Sequence, residues 1–107
     1  MTVTLTVDCG GGSIRATVLD AAGTQHAPPV RVPTPYPLPP ERLAATIADL
    51  AARLPAADRA TVGMPGMIRH GVVVSTPHYV TVAGPRTAVR PDLAEAWADR
   101  DMAALLS

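Results

Sequence analysis

The sequence has no Phe, no Asn and no Lys, and Cys9 is its single cysteine. A lone cysteine excludes an intrachain disulfide and a Cys-based zinc site. Because Lys is absent, all nine basic residues are Arg, and nine acidic residues balance them. A neutral chain with scattered Arg is a poor candidate for non-specific binding of nucleic acid, so no nucleic-acid partner is predicted. Without Phe, aliphatic side chains, Met and the lone Trp97 must fill the core.

Long hydrophobic runs are also missing. No run reaches the ~18 apolar residues that a membrane-spanning helix requires, and the N-terminal Met-Thr-Val-Thr-Leu-Thr-Val lacks the basic start of a signal peptide. We therefore expect a cytoplasmic protein without a membrane partner. With 107 residues, 48% of them hydrophobic and 17% charged, the chain is typical of one small globular domain over residues 1–107.

Short alternating segments open the chain. Residues 2–8 alternate Thr with Val or Leu, and residues 14–20 alternate again after a glycine-rich turn. Two alternating segments around a short turn predict a β-hairpin. A weaker third strand is predicted over residues 25–32, at a sheet edge, because Pro28 and Pro29 cannot donate to a β-ladder.

The middle of the chain is predicted to cross over through a helix. The X-Pro steps of residues 33–40 favour a stiff extended linker. The segment 41–54 then predicts a helix, because its apolar residues recur every three or four positions along one face. Those positions are Leu43, Ile47, Leu50 and Leu54.

The last part of the chain predicts a fourth strand over residues 59–64, a small hairpin around residues 69–71, a loop over residues 76–90 and a second helical stretch from Pro91. The order strand, strand, strand, helix, strand, helix predicts an α/β fold with a mixed sheet. Some single residues are interpreted as structural. Cys9 is a small buried hydrophobe, Tyr36 packs on the linker and Trp97 anchors the core.

The most informative motif is Asp8-Cys9-Gly10-Gly11-Gly12-Ser13, followed by Ile14-Arg15. Glycines let the backbone approach an anion closely, and their N–H groups can converge on one phosphate. A carboxylate at the end of the first strand can hold Mg²⁺ through water. A backbone cradle beside such a metal site is what phosphoryl transfer requires. An ordinary hairpin, in which Asp8 bonds to its own turn, is the alternative from these residues alone.

This motif, with Gly63-Met64-Pro65-Gly66 and Gly71, resembles the ROK family of sugar kinases. Three further segments are most like the polyphosphate glucokinases of that family: Arg31-Val32-Pro33-Thr34-Pro35-Tyr36-Pro37, Ser75-Thr76-Pro77-His78 and Ala96-Trp97. The resemblance implies a ribonuclease-H-like mixed sheet, as in the N-terminal lobe of an actin-like sugar kinase.

The resemblance also implies the site residues. In the family, the first glycine motif faces the donor phosphate and its Mg²⁺, and a second glycine loop lies beside the sugar. The predicted phosphate-binding residues are Asp8, Gly10, Gly11, Gly12, Ser13 and Arg15. The predicted sugar-binding residues are Gly63, Pro65 and Gly66. His78 is interpreted as a polar turn residue, with a position lining the sugar cleft as the alternative. The family usually has Thr or Ser directly after the double glycine, whereas here Gly12 takes that place and the hydroxyl follows at Ser13.

The family's catalytic base is an Asp in an Asn-Asp motif, and this sequence has no Asn. The resemblance therefore places the catalytic Asp beyond Ser107, together with a second lobe that is absent here. We predict the N-terminal part of an enzyme that transfers a phosphoryl group from polyphosphate or ATP to glucose, with no activity of its own.

Two other interpretations stay open. The chain could be a non-catalytic module that binds phosphate or docks on a partner, or it could be a truncated gene product. The predicted strand at 59–64 lacks a neighbour on one side, and such an edge invites self-association or pairing with another chain.

Overall fold

The computed structural model describes residues 2–25, 27–64, 66–69 and 72–106. The first strands and the long helix lie close to their predicted positions, and a second hairpin and two short helices follow. The elements are β1 (Thr4–Cys9), β2 (Ser13–Leu19), β3 (Val30–Pro33), α1 (Pro40–Ala52), β4 (Arg59–Gly63), β5 (Met67–Arg69), β6 (Val72–Ser75), α2 (Pro91–Trp97) and α3 (Met102–Leu105).

A mixed sheet of order β3-β2-β1-β4 forms the centre of the fold. β1 pairs antiparallel with β2, and β2 pairs antiparallel with β3, so the predicted hairpin and the edge position of the third strand are confirmed. β4 returns through α1 and pairs parallel with β1. The parallel pair brings the carboxyl ends of β1 and β4 to the same edge of the sheet, which is where the site lies.

The two faces of the sheet differ as the alternation predicted. Val7 and Cys9 of β1 are buried, and so are Ile14, Ala16 and Val18 of β2, whereas Asp8 and Arg15 point to the opposite, exposed face. The buried face contributes to one hydrophobic core with α1. The sheet therefore has one apolar face and one polar face.

Helix α1 covers the apolar face of the sheet. Pro40 occupies its first turn, where a missing N–H costs nothing. Leu43, Ile47 and Leu50 are buried and Leu54 is packed against the core, so the predicted stripe is confirmed. Each fully buried aliphatic side chain contributes roughly 1.5–3 kcal/mol of hydrophobic stabilisation.

Two local predictions are wrong. The third strand begins only at Val30, after Pro28 and Pro29, because a β-ladder needs N–H donors that proline lacks. The segment after Pro33 is not an extended linker. The Tyr36 N–H donates back to the Thr34 carbonyl at 2.9 Å, and the Thr34 N–H donates to the Gly12 carbonyl at 3.1 Å, so the segment bends onto the glycine turn.

The C-terminal elements close the core from the other end. β5 and β6 form the predicted small hairpin as a separate two-stranded sheet. Trp97 at the end of α2 is 1% exposed, and its Nε1–H donates to the Leu38 carbonyl at 2.8 Å, which confirms it as a core anchor. Asp101 caps α3 by accepting from the Ala104 N–H. In the described part of the chain, no helix combines the length and the apolarity that crossing a bilayer demands.

Candidate functional site

The ends of β1 and β4 place the two predicted loops side by side. Asp8, near the end of β1, is the register partner of Gly63, the last residue of β4. A methyl group added at Gly63 would come within 4.0 Å of Asp8 Oδ1, so the acidic side chain lies directly against the start of the second glycine loop. The fold therefore brings the predicted phosphate and sugar loops to one edge of the sheet.

The glycine turn between β1 and β2 is held by its carbonyl groups. The Gly10 carbonyl accepts from Thr34 Oγ1 and from the Tyr79 hydroxyl, both at 3.0 Å. The Gly11 carbonyl accepts from the Tyr36 hydroxyl at 2.7 Å. The Gly12 carbonyl accepts from the Thr34 N–H at 3.1 Å. Each of these successive carbonyls is thus fixed toward the body of the protein.

The amide groups of the same turn are mostly unused. The Gly10 N–H donates to the Ser13 carbonyl at 2.9 Å, which closes the hairpin. Within the described residues, the N–H groups of Gly11 and Gly12 have no acceptor. In a planar trans peptide the N–H points opposite to the C=O. Because the Gly10 and Gly11 carbonyls point inward, the following two N–H groups point outward, as an anion-binding nest requires.

The loop after β6 lies over this turn. A methyl group added at Gly11 would lie 2.6 Å from His78 Nδ1 and 3.1 Å from Pro85 Cγ, so both side chains rest on the Gly11 backbone. Among the described residues, His78 Nδ1 has no hydrogen-bond partner although it is buried. Gly84, with φ +112°, is equally close to the Tyr36 ring, where an added methyl would lie 2.9 Å from Cε2. The loop thus supports both the turn and the residue that holds it.

The aromatic residues form a continuous support under the turn. The Tyr36 and Tyr79 rings meet edge to face with centroids 6.2 Å apart, and Tyr79 lies against Trp97 at 5.7 Å. Burial raises the pKa of the Tyr79 hydroxyl and, to a smaller degree, that of Tyr36. Both hydroxyls therefore keep their protons near neutral pH and remain donors to the glycine carbonyls.

Cys9 shares this buried environment. It is 2% exposed, which confirms the interpretation as a small buried hydrophobe. Burial, assisted by the charge of Asp8, raises its pKa to about 12, although a side-chain hydrogen bond with Tyr79 acts in the opposite direction. The thiol is therefore protonated near neutral pH and is not a nucleophile.

Charged residues line the exposed face below the turn. Asp8 of β1 is paired across the sheet with Arg15 of β2, which is paired in turn with Arg31 of β3. All three are exposed, and within the described residues none of them forms an ion pair. Two arginines directly opposite each other repel, so an anion near them would relieve that repulsion.

The structure also tests which metal sites the residues can form. No group of three or more His, Cys, Asp or Glu side chains within the described residues is arranged to hold a metal ion. A single exposed carboxylate at Asp8 suits an ion that keeps most of its water, as Mg²⁺ does. It does not suit an ion that requires several protein ligands.

The surroundings of the remaining predicted site residues are more open. Gly12 is exposed, an added methyl there would meet nothing within 4 Å, and Ser13 begins β2. In the second loop the Gly66 N–H donates to the Met64 carbonyl at 3.0 Å. Pro65 lies outside the described residues.

The acidic residues near the C-terminal helices do not provide a general base for this site. Hydrogen bonding to Arg90 lowers the pKa of Asp92, and Asp101 is the cap of α3. Both side chains are exposed at helix ends.

Sequence reasoning missed the residues that hold the turn. Thr34, Tyr36 and Tyr79 lie 24, 25 and 69 positions from the glycines whose carbonyls they bind. The interpretation of Tyr36 as a packing residue was incomplete, and so was that of His78 as a polar turn residue. One signal was present: a threonine and a tyrosine within a proline-rich segment, where an ordinary linker needs neither.

Comparisons with known proteins bear on the family and on the fold. The model of the ROK family matches residues 4–97. Among solved structures, the chain is similar to the inorganic polyphosphate/ATP-glucomannokinase of Arthrobacter sp. strain KM, with 29% sequence identity and a TM-score of 0.73. The likeness covers 99% of this chain but 40% of that chain, and it confirms the expected mixed α/β sheet. No curated protein sequence matches significantly.

Proposed function

This chain belongs to the ROK family, and from that premise we propose that it forms the phosphate-binding part of a sugar kinase. The reaction is phosphoryl transfer from polyphosphate or ATP to glucose. The chain spans 40% of the glucomannokinase that it resembles, so residues 1–107 are proposed as one phosphate-binding lobe of such an enzyme. The family and the likeness support a sugar kinase, and the narrower proposal of donor and sugar rests on the resemblance of the sequence segments to polyphosphate glucokinases.

One observation carries the proposal: the outward-facing, unpaired N–H groups of Gly11 and Gly12. Transfer of a phosphoryl group leaves charge on the phosphate oxygens, and fixed backbone donors stabilise that charge without reorganising. An ordinary hairpin turn would use its amides within the turn. The donor phosphate is therefore proposed to lie on these two amides, with Ser13 and Arg15 next to it.

Asp8 is the residue proposed to hold Mg²⁺, through water, at the end of β1. Its carboxylate is exposed and next to the turn, which fits an ion that retains its hydration shell. When bound, the ion would offset negative charge on the phosphate oxygens. The contribution of the chain itself is the position of that carboxylate, which the pairing with Gly63 and Arg15 fixes.

The sugar is proposed to bind beside Gly63, Pro65 and Gly66. Gly63 lacks a side chain where one would approach Asp8, so a hydroxyl group could come close to the phosphate site from this direction. The two loops lie side by side at the sheet edge, and direct transfer requires the two substrates to be adjacent in this way.

The proposed activity is not expected from these 107 residues alone, because they contain no Asn-Asp motif to supply a base. General bases contribute roughly 10²–10⁴-fold to such reactions. Incubation of the purified chain with Mg²⁺, polyphosphate and glucose should give no sugar phosphate above the background of heat-denatured protein. Turnover that a Gly12→Pro variant abolished would show that the base lies within these residues.

Tripolyphosphate binding tests the site itself. In a ¹⁵N NMR titration, the Gly11 and Gly12 amide signals should move, whereas the Gly23 amide should not, because it already donates to the Asp20 carbonyl at 2.9 Å. Gly23 is thus an internal control in a distant turn. Movement spread evenly over the chain, or confined to exposed arginines, would contradict the proposal.

A second role is supported by the edge of β4. Within the described residues this strand pairs only with β1, and most of its residues are exposed. Such an edge can take up a further strand, from a second copy or from another chain. Sedimentation equilibrium over a range of concentrations would detect self-association, and Thr61→Pro, which removes an N–H donor from β4, should abolish it.

A further inference from the structure

We infer that Tyr36, assisted by Thr34 and Tyr79, is a positioning residue for the phosphate-binding turn. The inference rests on the proposed function and adds to it the groups that aim the amides. These hydroxyls are far in sequence from the glycine turn, yet they converge on the carbonyls of two successive glycines. A bound phosphate would not touch them, because they lie on the opposite side of each peptide plane.

The first step of the argument concerns the freedom of the turn. Three successive glycines can adopt many backbone conformations, and fixing each of them costs conformational entropy. A turn that ordered itself only on binding would have its affinity for the anion reduced by that cost. Donors that fix the carbonyls beforehand leave the amides already oriented.

The second step separates the contributions of the three hydroxyls. The Gly10 carbonyl has two donors, Thr34 Oγ1 and the Tyr79 hydroxyl, so either one can hold it. Within the described residues, the Gly11 carbonyl has the Tyr36 hydroxyl as its single donor. The peptide between Gly11 and Gly12 therefore depends on Tyr36 alone, and so does the direction of the Gly12 N–H.

The third step explains what holds Tyr36. Its ring is packed edge to face against Tyr79 on one side. On the other side it contacts Gly84, whose missing side chain makes room for the ring. Packing on both sides of the rigid ring thus fixes the position of the hydroxyl, which is the property that a positioning group requires.

A purely structural role predicts a different ranking of variants. Thr34 is 8% exposed and Tyr36 is half-buried. If the hydroxyls only satisfied the hydrogen bonds of buried carbonyls, loss of the more buried Thr34 hydroxyl should reduce stability and anion binding at least as much as loss of the Tyr36 hydroxyl. If they aim the amides, Tyr36→Phe should weaken anion binding more than Thr34→Val does, because only Tyr36 lacks a substitute.

The experiment is a tripolyphosphate titration of the 107-residue chain and of three variants, followed by ¹⁵N NMR. We expect Tyr36→Phe to weaken binding about three- to tenfold, the effect of one ordinary hydrogen bond, and to shift the Gly12 amide signal before ligand is added. Thr34→Val should weaken binding less than about twofold. Thr46→Val, which removes a hydroxyl bond to the Arg42 carbonyl on α1, should leave binding unchanged.

The outcomes are separable. If the wild-type amides of Gly11 and Gly12 do not respond to tripolyphosphate, the proposed function fails, and the inference fails with it. If they respond and Tyr36→Phe binds as tightly as the wild type, the inference alone is overturned. Should Tyr36→Phe unfold, Gly84→Ala displaces the same ring from the other side. It must then weaken binding, while Gly23→Ala, an open left-handed glycine with φ +82°, must not.

Discussion

The glycine turn proposed to bind phosphate (the phosphate turn) and the loop proposed to bind sugar (the sugar loop) lie at the same edge of the sheet, yet the chain holds them very differently. In the turn, each glycine carbonyl from Gly10 to Gly12 has a partner from a distant part of the sequence. In the described part of the sugar loop, the backbone hydrogen bond is local, from the Gly66 N–H to the Met64 carbonyl. β4, which leads into that loop, is mostly exposed.

This difference predicts unequal binding at the two proposed sites. A turn whose carbonyls are fixed can present its amides to an anion before the anion arrives, so we expect phosphate binding to need little beyond the described residues. A loop held by local contacts gains its shape from whatever packs on it. We therefore expect these 107 residues to bind a phosphate chain and to bind glucose weakly or not at all.

The largest expected effect comes from removing the support under the turn. Trp97→Ala deletes the side chain on which Tyr79 rests and should cost roughly 3–5 kcal/mol of unfolding free energy. A chain of this size has little stability to lose, so the variant should be largely unfolded. Urea unfolding followed by circular dichroism measures the loss.

The matched change on the sugar side is Val62→Ala in β4, a partly buried residue packed at the margin of the core. It should cost about 1 kcal/mol, as most point substitutions do. Equal losses for Trp97→Ala and Val62→Ala would contradict the view that the two sides are held differently.

A smaller effect on stability is expected where the loop after β6 rests on the phosphate turn. Gly11→Ala places a methyl 2.6 Å from His78 Nδ1 and 3.1 Å from Pro85 Cγ, so both side chains must shift. The imidazole can rotate, which limits the cost in unfolding free energy to about 1–2 kcal/mol. Gly12→Ala meets nothing within 4 Å and should change stability by less than about 0.5 kcal/mol. If thermal unfolding showed Gly12→Ala to be less stable than Gly11→Ala, the loop after β6 would not support the turn.

The comparison also shows how far sequence reasoning reaches. Alternation in β1 and β2 and the stripe of α1 predicted the sheet, because burial of one face leaves a period that a single sequence reveals. The glycine motif predicted the turn for a similar reason, since only glycine permits that backbone approach. Local chemistry therefore predicted the glycine turn, whereas the sugar loop came from the resemblance to the family, and the binding role of each stays a prediction.

What supports the turn could not be predicted in this way. The bond from Tyr79 to Gly10 spans 69 positions, and nothing in the spacing of the two residues indicates it. The prolines around Tyr36 predicted an extended linker because each proline restricts its own neighbour. The bend that brings Tyr36 onto Gly11 is instead decided by a tertiary hydrogen bond, which outweighs that local preference.

Alkaline pH should destabilise the side of the phosphate turn, because the buried Cys9 thiol and Tyr79 hydroxyl lie under that turn. Folding raises the pKa of Cys9 from 9.0 to about 12, mainly by burial. Above pH 9 the unfolded chain loses this proton while the folded chain retains it, so stability is constant below pH 9 and falls as pH rises toward 12. The Cys9 contribution should be about 1 kcal/mol lost by pH 10.

Urea unfolding at pH 8, 9 and 10 measures this slope. Tyr79 acts in the same direction, since burial raises its pKa too. Cys9→Ala should therefore reduce the slope without removing it. A slope identical to that of the wild type would mean that the thiol is not the titrating group.

The smallest effect concerns Asp8, which stands between the two loops. Its exposed carboxylate lies next to the proposed phosphate position and repels an anion there, although solvent and salt screen the repulsion. Without metal, Asp8→Asn should therefore bind tripolyphosphate about two- to fivefold more tightly. With Mg²⁺ the order should reverse, because the wild type gains a hydrated ion that the variant cannot hold.

Asp49→Asn makes the same change of charge on α1, where Asp49 pairs with Arg53, and should leave both affinities unchanged. If Asp8→Asn kept the full Mg²⁺ dependence, the carboxylate would be a feature of the hairpin, and the metal would have to be held from the sugar side instead.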